Sequence, residues 1–177
     1  MEEQKALENI MFRISFISNK NISKNILSDI CEIKSIPWPY SLKSQLAWIS
    51  NNISDNDIHV LLYNGEEFIA YLNLVEIEFS IDGVLTQGYG IGNVCSREKG
   101  KGYGSILMRN VNEYLKENDK IGLLLCKQEL IPFYEKCSWD LISKGKLKLN
   151  NENKLVNAMT YNLIDSYCVL EYKGKLF

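Results

Sequence analysis

Hydrophobic and polar positions change period several times along this chain. Residues 10–18 are rich in β-branched and aromatic side chains and predict a strand. Over 23–33, Ile26, Leu27, Ile30 and Ile33 recur at helical spacing. Pro37 and Pro39 then restrict the backbone and remove donors, so residues 36–40 must end that helix. Leu42, Leu46, Ile49 and Ile53 resume the helical period over 41–53. Next the period shortens. Residues 58–63 and 67–79 predict strands joined at Asn64-Gly65, a pair suited to a type I′ turn. Asp82-Gly83 marks the following turn, and a third strand over 84–95 completes an antiparallel meander. Ile106, Leu107, Val111 and Leu115 predict a helix starting near Gly104. The continuous apolar run 121–126 is that of a strand covered on both faces. Residues 129–137 predict a short helix with Pro132 in its first turn, where the missing donor matters little. Residues 139–149 and 157–164 predict two closing strands, and 167–177 a further one. The order is that of a mixed α/β domain.

Composition narrows the function more than the fold. The 177 residues suit one domain with a sizeable core, and no repeat or linker interrupts them. A net charge of −2 lacks the basic excess of a dedicated nucleic-acid binder. Five cysteines, an odd number without a CxxC pair, argue against a disulfide framework or a zinc cluster and fit reduced thiols in a cytoplasmic protein. The first ten residues are acidic and mixed, unlike a secretory signal. No apolar run approaches the roughly 20 residues of a membrane span. The expectation is a cytoplasmic protein with no metal and no nucleic-acid or membrane partner.

The densest chemistry lies in residues 96–110. Gly100, Gly102 and Gly104 stand between a predicted strand and a predicted helix. Amides without side chains can approach a ligand closely. The first amides of a helix lack internal partners and carry the positive end of its dipole. Such a place suits phosphate, and Lys99 and Lys101 add positive charge. The plain alternative is a solvated turn; three alternating glycines with cations and a helix behind them favour phosphate. A Walker loop is absent, and a dinucleotide fingerprint needs GxGxxG where this chain has GxGxG after a meander.

The stretch resembles the pyrophosphate loop of the GNAT superfamily of acyl-CoA-dependent N-acyltransferases, which reads Arg or Gln, two residues, Gly, one residue, Gly or Ala. Lys99-Gly100-Lys101-Gly102-Tyr103-Gly104 matches with Lys99 as the departure, and Arg97 through Gly102 matches literally two residues earlier. The later register keeps the family's five-residue step from Val94 and puts Gly104 at the helix start. Residues 132–139 resemble the family's short helix ending Tyr-x-x-x-Gly-aromatic, with Tyr134, Ser138 in the glycine position, and Trp139. Lys127 stands where the family often has Asn. The element order matches as well. The resemblance implies an α/β GNAT fold in one domain over 1–177, with a core of about 10–164 and a short C-terminal extension. Its central sheet is mixed, mostly antiparallel and flanked by helices. It further implies an N-acetyltransferase that moves an acetyl group from acetyl-CoA to a primary amine of a small molecule by direct attack. A non-catalytic acyl-CoA-binding module, or transfer to a protein amine, is the alternative; a homodimer is left open.

By the same resemblance, the backbone of Gly92, Asn93 and Val94 would bond the pantetheine arm where the strand splays from its parallel neighbour. Lys99, Gly100, Lys101, Gly102, Tyr103, Gly104 and Ser105 would hold the pyrophosphate. Tyr134 would protonate the departing thiolate. Many relatives carry a base Glu four residues before Val94; Gly90 stands there. Glu76 and Glu78 on the preceding strand become the base candidates, directly or through water, with Glu78 placed as catalytic and Glu76 on the acceptor side; the pair equally reads as a solvated strand face, and bulk water is another route for the proton. The lone His59 reads as structural. Gly88, Gly90 and Gly92 leave one strand face without side chains, open to a ligand or backbone, or else packed beneath a bulky helix. Trp38 and Tyr40, between the first two helices, would wall the acceptor site or cap the core.

Overall fold

The computed structural model describes residues 12–150, 156–163, 166–175 and 177. The chain divides into two compact units, residues 1–74 with 93–110, and 75–92 with 111–177.

In the first unit, β1 (Phe12–Ser18), β2 (Ile58–Asn64) and the start of β3 (Glu67–Ile81) form an antiparallel run. Residues 10 and 11 of the expected first strand lie outside the described residues. Helices α1 (Lys24–Lys34) and α2 (Leu42–Asn52) each begin at a serine. Ser23 and Ser41 accept bonds from the N–H groups of Ile26 and Ser44, which would otherwise lack partners. The first hairpin departs from expectation. Asn64 pairs with Glu67, so the loop is Gly65-Glu66, and of these only Gly65 (φ +58°) is left-handed. That is the type II′ pattern rather than I′. β2 and the start of β3 are almost wholly buried, through Val60, Leu61, Leu62, Ala70 and Leu72.

A chain of polar groups is buried with them. Asn19 Nδ2 donates to the Ile53 carbonyl, which leaves its Oδ1 facing His59 Nε2 at 3.0 Å. Nε2 therefore carries the proton, and Nδ1 accepts the Tyr71 hydroxyl at 2.7 Å. Burial pushes His59 down to about 4, so the imidazole is neutral. Its structural reading fits this setting. Lys34 is 2% exposed, and its Nζ stands 3.9 Å from the centroid of the Trp48 ring. Burial lowers it to about 8.

The second unit holds the rest of β3 and most of β4 (Val84–Ser96), with the later half of α3 (Tyr103–Glu117), β5 (Ile121–Cys126) and α4 (Ile131–Lys136). The short strands β6 (Asp140–Leu141), β7 (Leu147–Leu149), β8 (Asn157–Tyr161) and β9 (Leu170–Tyr172) complete it. β4 and β5 run parallel, β8 lies antiparallel to β5 and β6, and β9 is antiparallel to β3 and parallel to β7. The sheet is thus mixed and mostly antiparallel, with helices flanking it, as expected. Asp82 and Gly83 are both left-handed (φ 50° and 83°), the type I′ pattern. The expected strand over 139–149 is broken: Lys144–Lys146 is a short 3-10 turn between β6 and β7. The sequence there, Lys-Gly-Lys, has no alternating apolar face to pair. The strand expected over 157–164 stops at Tyr161 because Asn162 turns left-handed (φ 63°), and residue 164 lies outside the described ones. Among the described residues of 167–177, only Leu170–Tyr172 is strand; residue 176 lies outside them.

Trp139 anchors the end of α4. It is 1% exposed, and its indole N–H donates to Asn112 Oδ1 at 2.9 Å while Asn112 Nδ2 donates to the Cys137 carbonyl at 2.8 Å. A Cβ at Gly122 would lie 2.5 Å from the Trp139 ring, so only glycine leaves that ring its place. Between helix and tryptophan, Ser138 is left-handed at φ 67°. Its backbone needs the conformation that glycine adopts freely.

Two stability predictions follow from these details. His59 titrates near 6.5 unfolded and near 4 folded, so its contribution is complete above pH 6.5 and lost as pH falls toward 4. The loss should amount to about 3 kcal/mol, measured by denaturant unfolding between pH 7 and 4. A His59→Asn variant should show a shallower slope; a wild-type slope in that variant removes the assignment. Ser138→Gly should raise stability by about 1 kcal/mol by relieving the left-handed backbone. A lower thermal midpoint would show that strain at this residue is not the controlling term.

Candidate active site

At Gly88 and Gly90 the glycine face of β4 is filled by protein. A Cβ at Gly88 would lie 2.3 Å from the Ile121 carbonyl oxygen and 2.9 Å from the Phe79 ring. At Gly90 the Phe177 ring would lie 2.5 Å away. The close neighbours are a backbone carbonyl and two aromatic rings, not a helix. The parallel ladder with β5 runs from Gly88↔Ile121 to Ile91↔Leu124. Gly92, Asn93 and Val94 lie past its last rung. Asn93 is left-handed (φ 54°), and its Nδ2 donates to Asn73 Oδ1 at 2.6 Å.

The loop beyond is exposed from Glu98 to Gly102. Gly100 and Gly102 both have φ +77°, and nothing lies within 4 Å of where a Cβ would stand. The Gly102 carbonyl accepts from the N–H groups of Ser105 (3.0 Å) and Ile106 (3.1 Å), which makes it the first acceptor of α3. The amides of Tyr103 and Gly104 precede those bonds and have no acceptor within the helix. Lys101 meets Glu98 at 3.8 Å with both side chains exposed, a contact worth little. Arg97 is committed: Nε donates to the Phe68 carbonyl at 2.6 Å and Nη1 meets Glu32 at 2.7 Å. The later loop register, headed by Lys99, does not require a side chain already tied to Phe68 and Glu32.

Also in the first unit, the loop holding Trp38 and Tyr40 is tied down. Trp38 N–H donates to the Lys34 carbonyl, and its own carbonyl accepts from Gln45 Nε2 and Tyr40 N–H. Trp38 is half-buried, whereas Tyr40 is 66% exposed.

In the second unit, Tyr134 is buried on α4, and the Phe133 ring meets it edge-on. Burial, with smaller contributions from Cys126 and Cys137, pushes its phenol well above the usual value. The hydroxyl stays protonated across the working pH range. Glu76 and Glu78 line an open cleft of about 240 Å³ with Gln87, Tyr89 and Lys120. Phe79 shares the face of Gly88, and side chains alternate along a strand, so both glutamates face away from the side that Gly90 presents. Gln87–Tyr89 precede Val94 by five to seven residues on β4. Among the described residues, no group of three or more His, Cys, Asp or Glu could hold a metal ion.

Two arrangements escape sequence reasoning, the Asn73–Asn93 bridge and the Asn112–Trp139 clamp. Asn73 had a visible signal: it is a polar residue inside the buried run Phe68–Leu74. Asn112 had none, because an asparagine on a helix usually faces solvent.

Comparison with known proteins gives these features a context. Among solved structures, YhbS from Escherichia coli in complex with CoA shares the fold with a TM-score of 0.65 at 12% identity, over 92% of this chain and 90% of that one. ElaA from Escherichia coli aligns with a TM-score of 0.60 at 18% identity, over 85% and 99%. An N-acetyltransferase from Staphylococcus aureus Mu50 aligns with a TM-score of 0.61 at 17% identity, over 88% and 99%. No curated protein matches the chain in sequence. The model of the acetyltransferase (GNAT) family matches residues 25–139, from α1 through the glycine loop and Tyr134 to Trp139, and by that match the chain belongs to the acetyltransferase (GNAT) family.

Proposed function

We propose that this family member transfers an acetyl group from acetyl-CoA to a primary amine of a small molecule, acting as one functional domain. The observation that carries the reading is the exposed turn at Gly100 and Gly102, both at φ +77°, which opens directly into α3 with the Tyr103 and Gly104 amides unpaired within the helix. That arrangement offers backbone donors and a positive helix end to a pyrophosphate. The family match and the CoA complex of a structural neighbour support an acyl-CoA donor. Gly92, Asn93 and Val94, beyond the β5 ladder, are the proposed backbone partners of the pantetheine arm.

In this reading the neutral amine attacks the thioester carbonyl, and the Tyr134 hydroxyl faces the sulfur that leaves. The phenol lies above the thiol in pKa, so it stabilises the departing thiolate chiefly as a hydrogen-bond donor. Trp38 and Tyr40 are the proposed acceptor wall. Glu78, the candidate base, faces away from the Gly90 side, so its proposed role runs through water, with Glu76 beside it. A specific observation favours a second reading, a non-catalytic acyl-CoA-binding module: Gly90 supplies no carboxylate and its side is occupied by Phe177.

Two experiments test the reading. Gly102→Val should abolish acetyl-CoA binding in titration calorimetry while the domain stays folded, because a β-branched residue resists φ +77° and shields the amides. Unchanged affinity would remove the loop assignment. Thiol release with a panel of amines should show turnover, which the binding module would lack. Tyr134→Phe should then lower kcat about 10²-fold with acetyl-CoA affinity nearly intact. Because burial raises the phenol, its own ionisation should not limit the wild-type rate up to about pH 10. Wild-type turnover by Tyr134→Phe sinks the role of its hydroxyl at the leaving sulfur, and Glu78→Gln in the same pH series reports on the base.

A further inference from the structure

Among the described residues, one buried side-chain atom of the first unit has no hydrogen-bond partner. Asn73 is 0% exposed, on β3 opposite His59. Its Oδ1 accepts the Asn93 amide at 2.6 Å, and its Nδ2 has no partner. Turning both amides over exchanges donor and acceptor and still leaves one Asn73 atom unmet. A buried amide with an unmet group lowers stability, so the fold alone does not account for an asparagine here.

Its bonded partner explains the choice. Asn93 is held at φ 54°, a left-handed value that a non-glycine residue adopts at a cost. This single turn comes directly after Gly92, beyond the last β5 rung at Ile91, and sets where the next peptide groups point. The Asn73 amide grips the side chain of the residue that makes the turn. Asparagine tolerates this conformation better than most residues, and the bridge to Asn73 holds its side chain while the backbone is turned.

We propose that Asn73 is a positioning residue for the acyl donor: its side chain locks Asn93 in the left-handed turn that aims the backbone of Asn93 and Val94. The inference rests on the proposed donor reading of this strand. It touches no reacting atom itself.

The test uses acetyl-CoA titrations and thermal melts of the full chain. Wild-type binding examines the donor reading, and without it both the reading and this proposal fall. Given wild-type binding, Asn73→Val should weaken acetyl-CoA about tenfold, the worth of one well-placed hydrogen bond, without lowering the melting temperature. Asn93→Gly adopts the turn without a grip, so adding it to Asn73→Val should recover most of the lost affinity. Wild-type affinity in Asn73→Val overturns the proposal, and so does an affinity loss that Asn93→Gly leaves uncorrected. Should Asn73→Val fail to fold, Asn73→Leu, close in shape to asparagine and unable to accept the Asn93 amide, replaces it under the same two criteria.

Discussion

β4 cannot remain an ordinary strand, and the proposed donor site depends on how it stops being one. At Gly88 the carbonyl of Ile121 stands where a side chain would begin, so the parallel pair is tight. At Asn93 the backbone turns left-handed, and at Gly100 and Gly102 it does so twice more before α3 starts. Each departure weakens the strand locally. In the proposed donor reading, the departures at Asn93, Gly100 and Gly102 also leave backbone outside the ladder, where a phosphorylated ligand would meet it. The two effects share one cause: amides can face a ligand only after they stop facing a neighbouring strand.

The buried polar groups of the first unit differ in how they are met. Asn19, His59 and Tyr71 form a closed chain in which every proton has an assigned acceptor, and the neutral imidazole suits it. Lys34 is a harder case. Its charge faces the Trp48 ring, which offsets part of the desolvation without matching a carboxylate. Asn73 is different again, because it leaves an atom unmet while holding a strained neighbour. Satisfied groups rigidify a core, whereas an unsatisfied one marks a place where something besides stability decided the residue.

The long elements were legible because their periods are strong. Ile26, Ile30 and Ile33 face inward on α1, and the runs 58–63 and 67–79 are strands with buried apolar faces. The glycine loop was legible as a turn into a helix, since alternating glycines supply the left-handed backbone found at Gly100 and Gly102 just before α3. The late strands were not, since β6, β7 and β9 are too short for period to speak and are set by partners far along the chain. Turn type at Asn64-Gly65 failed through register, because pairing of Asn64 with Glu67 moves the loop on by one residue. The filling of the Gly90 side by Phe177 is a contact between distant positions, which no local pattern announces.

Tyr134 shows why position and acidity must be argued apart. The family pattern locates a phenol, and an ordinary phenol near 10 sits close enough to a thiol to exchange a proton with it. Burial changes that balance. The nearby Cys126 thiol is itself pushed up to about 11, so it carries no charge to compete for the hydroxyl. Within the proposed reaction, the leaving sulfur would then be the anion nearest the phenol. A donor that cannot ionise is a weak acid but a dependable dipole, since it never becomes an anion that repels the sulfur. In a poorly solvated setting, a fixed dipole aimed at developing charge is a strong form of stabilisation. Burial, which lowers the acidity of Tyr134, would thus be the property that suits it to an electrostatic role in the proposed reaction.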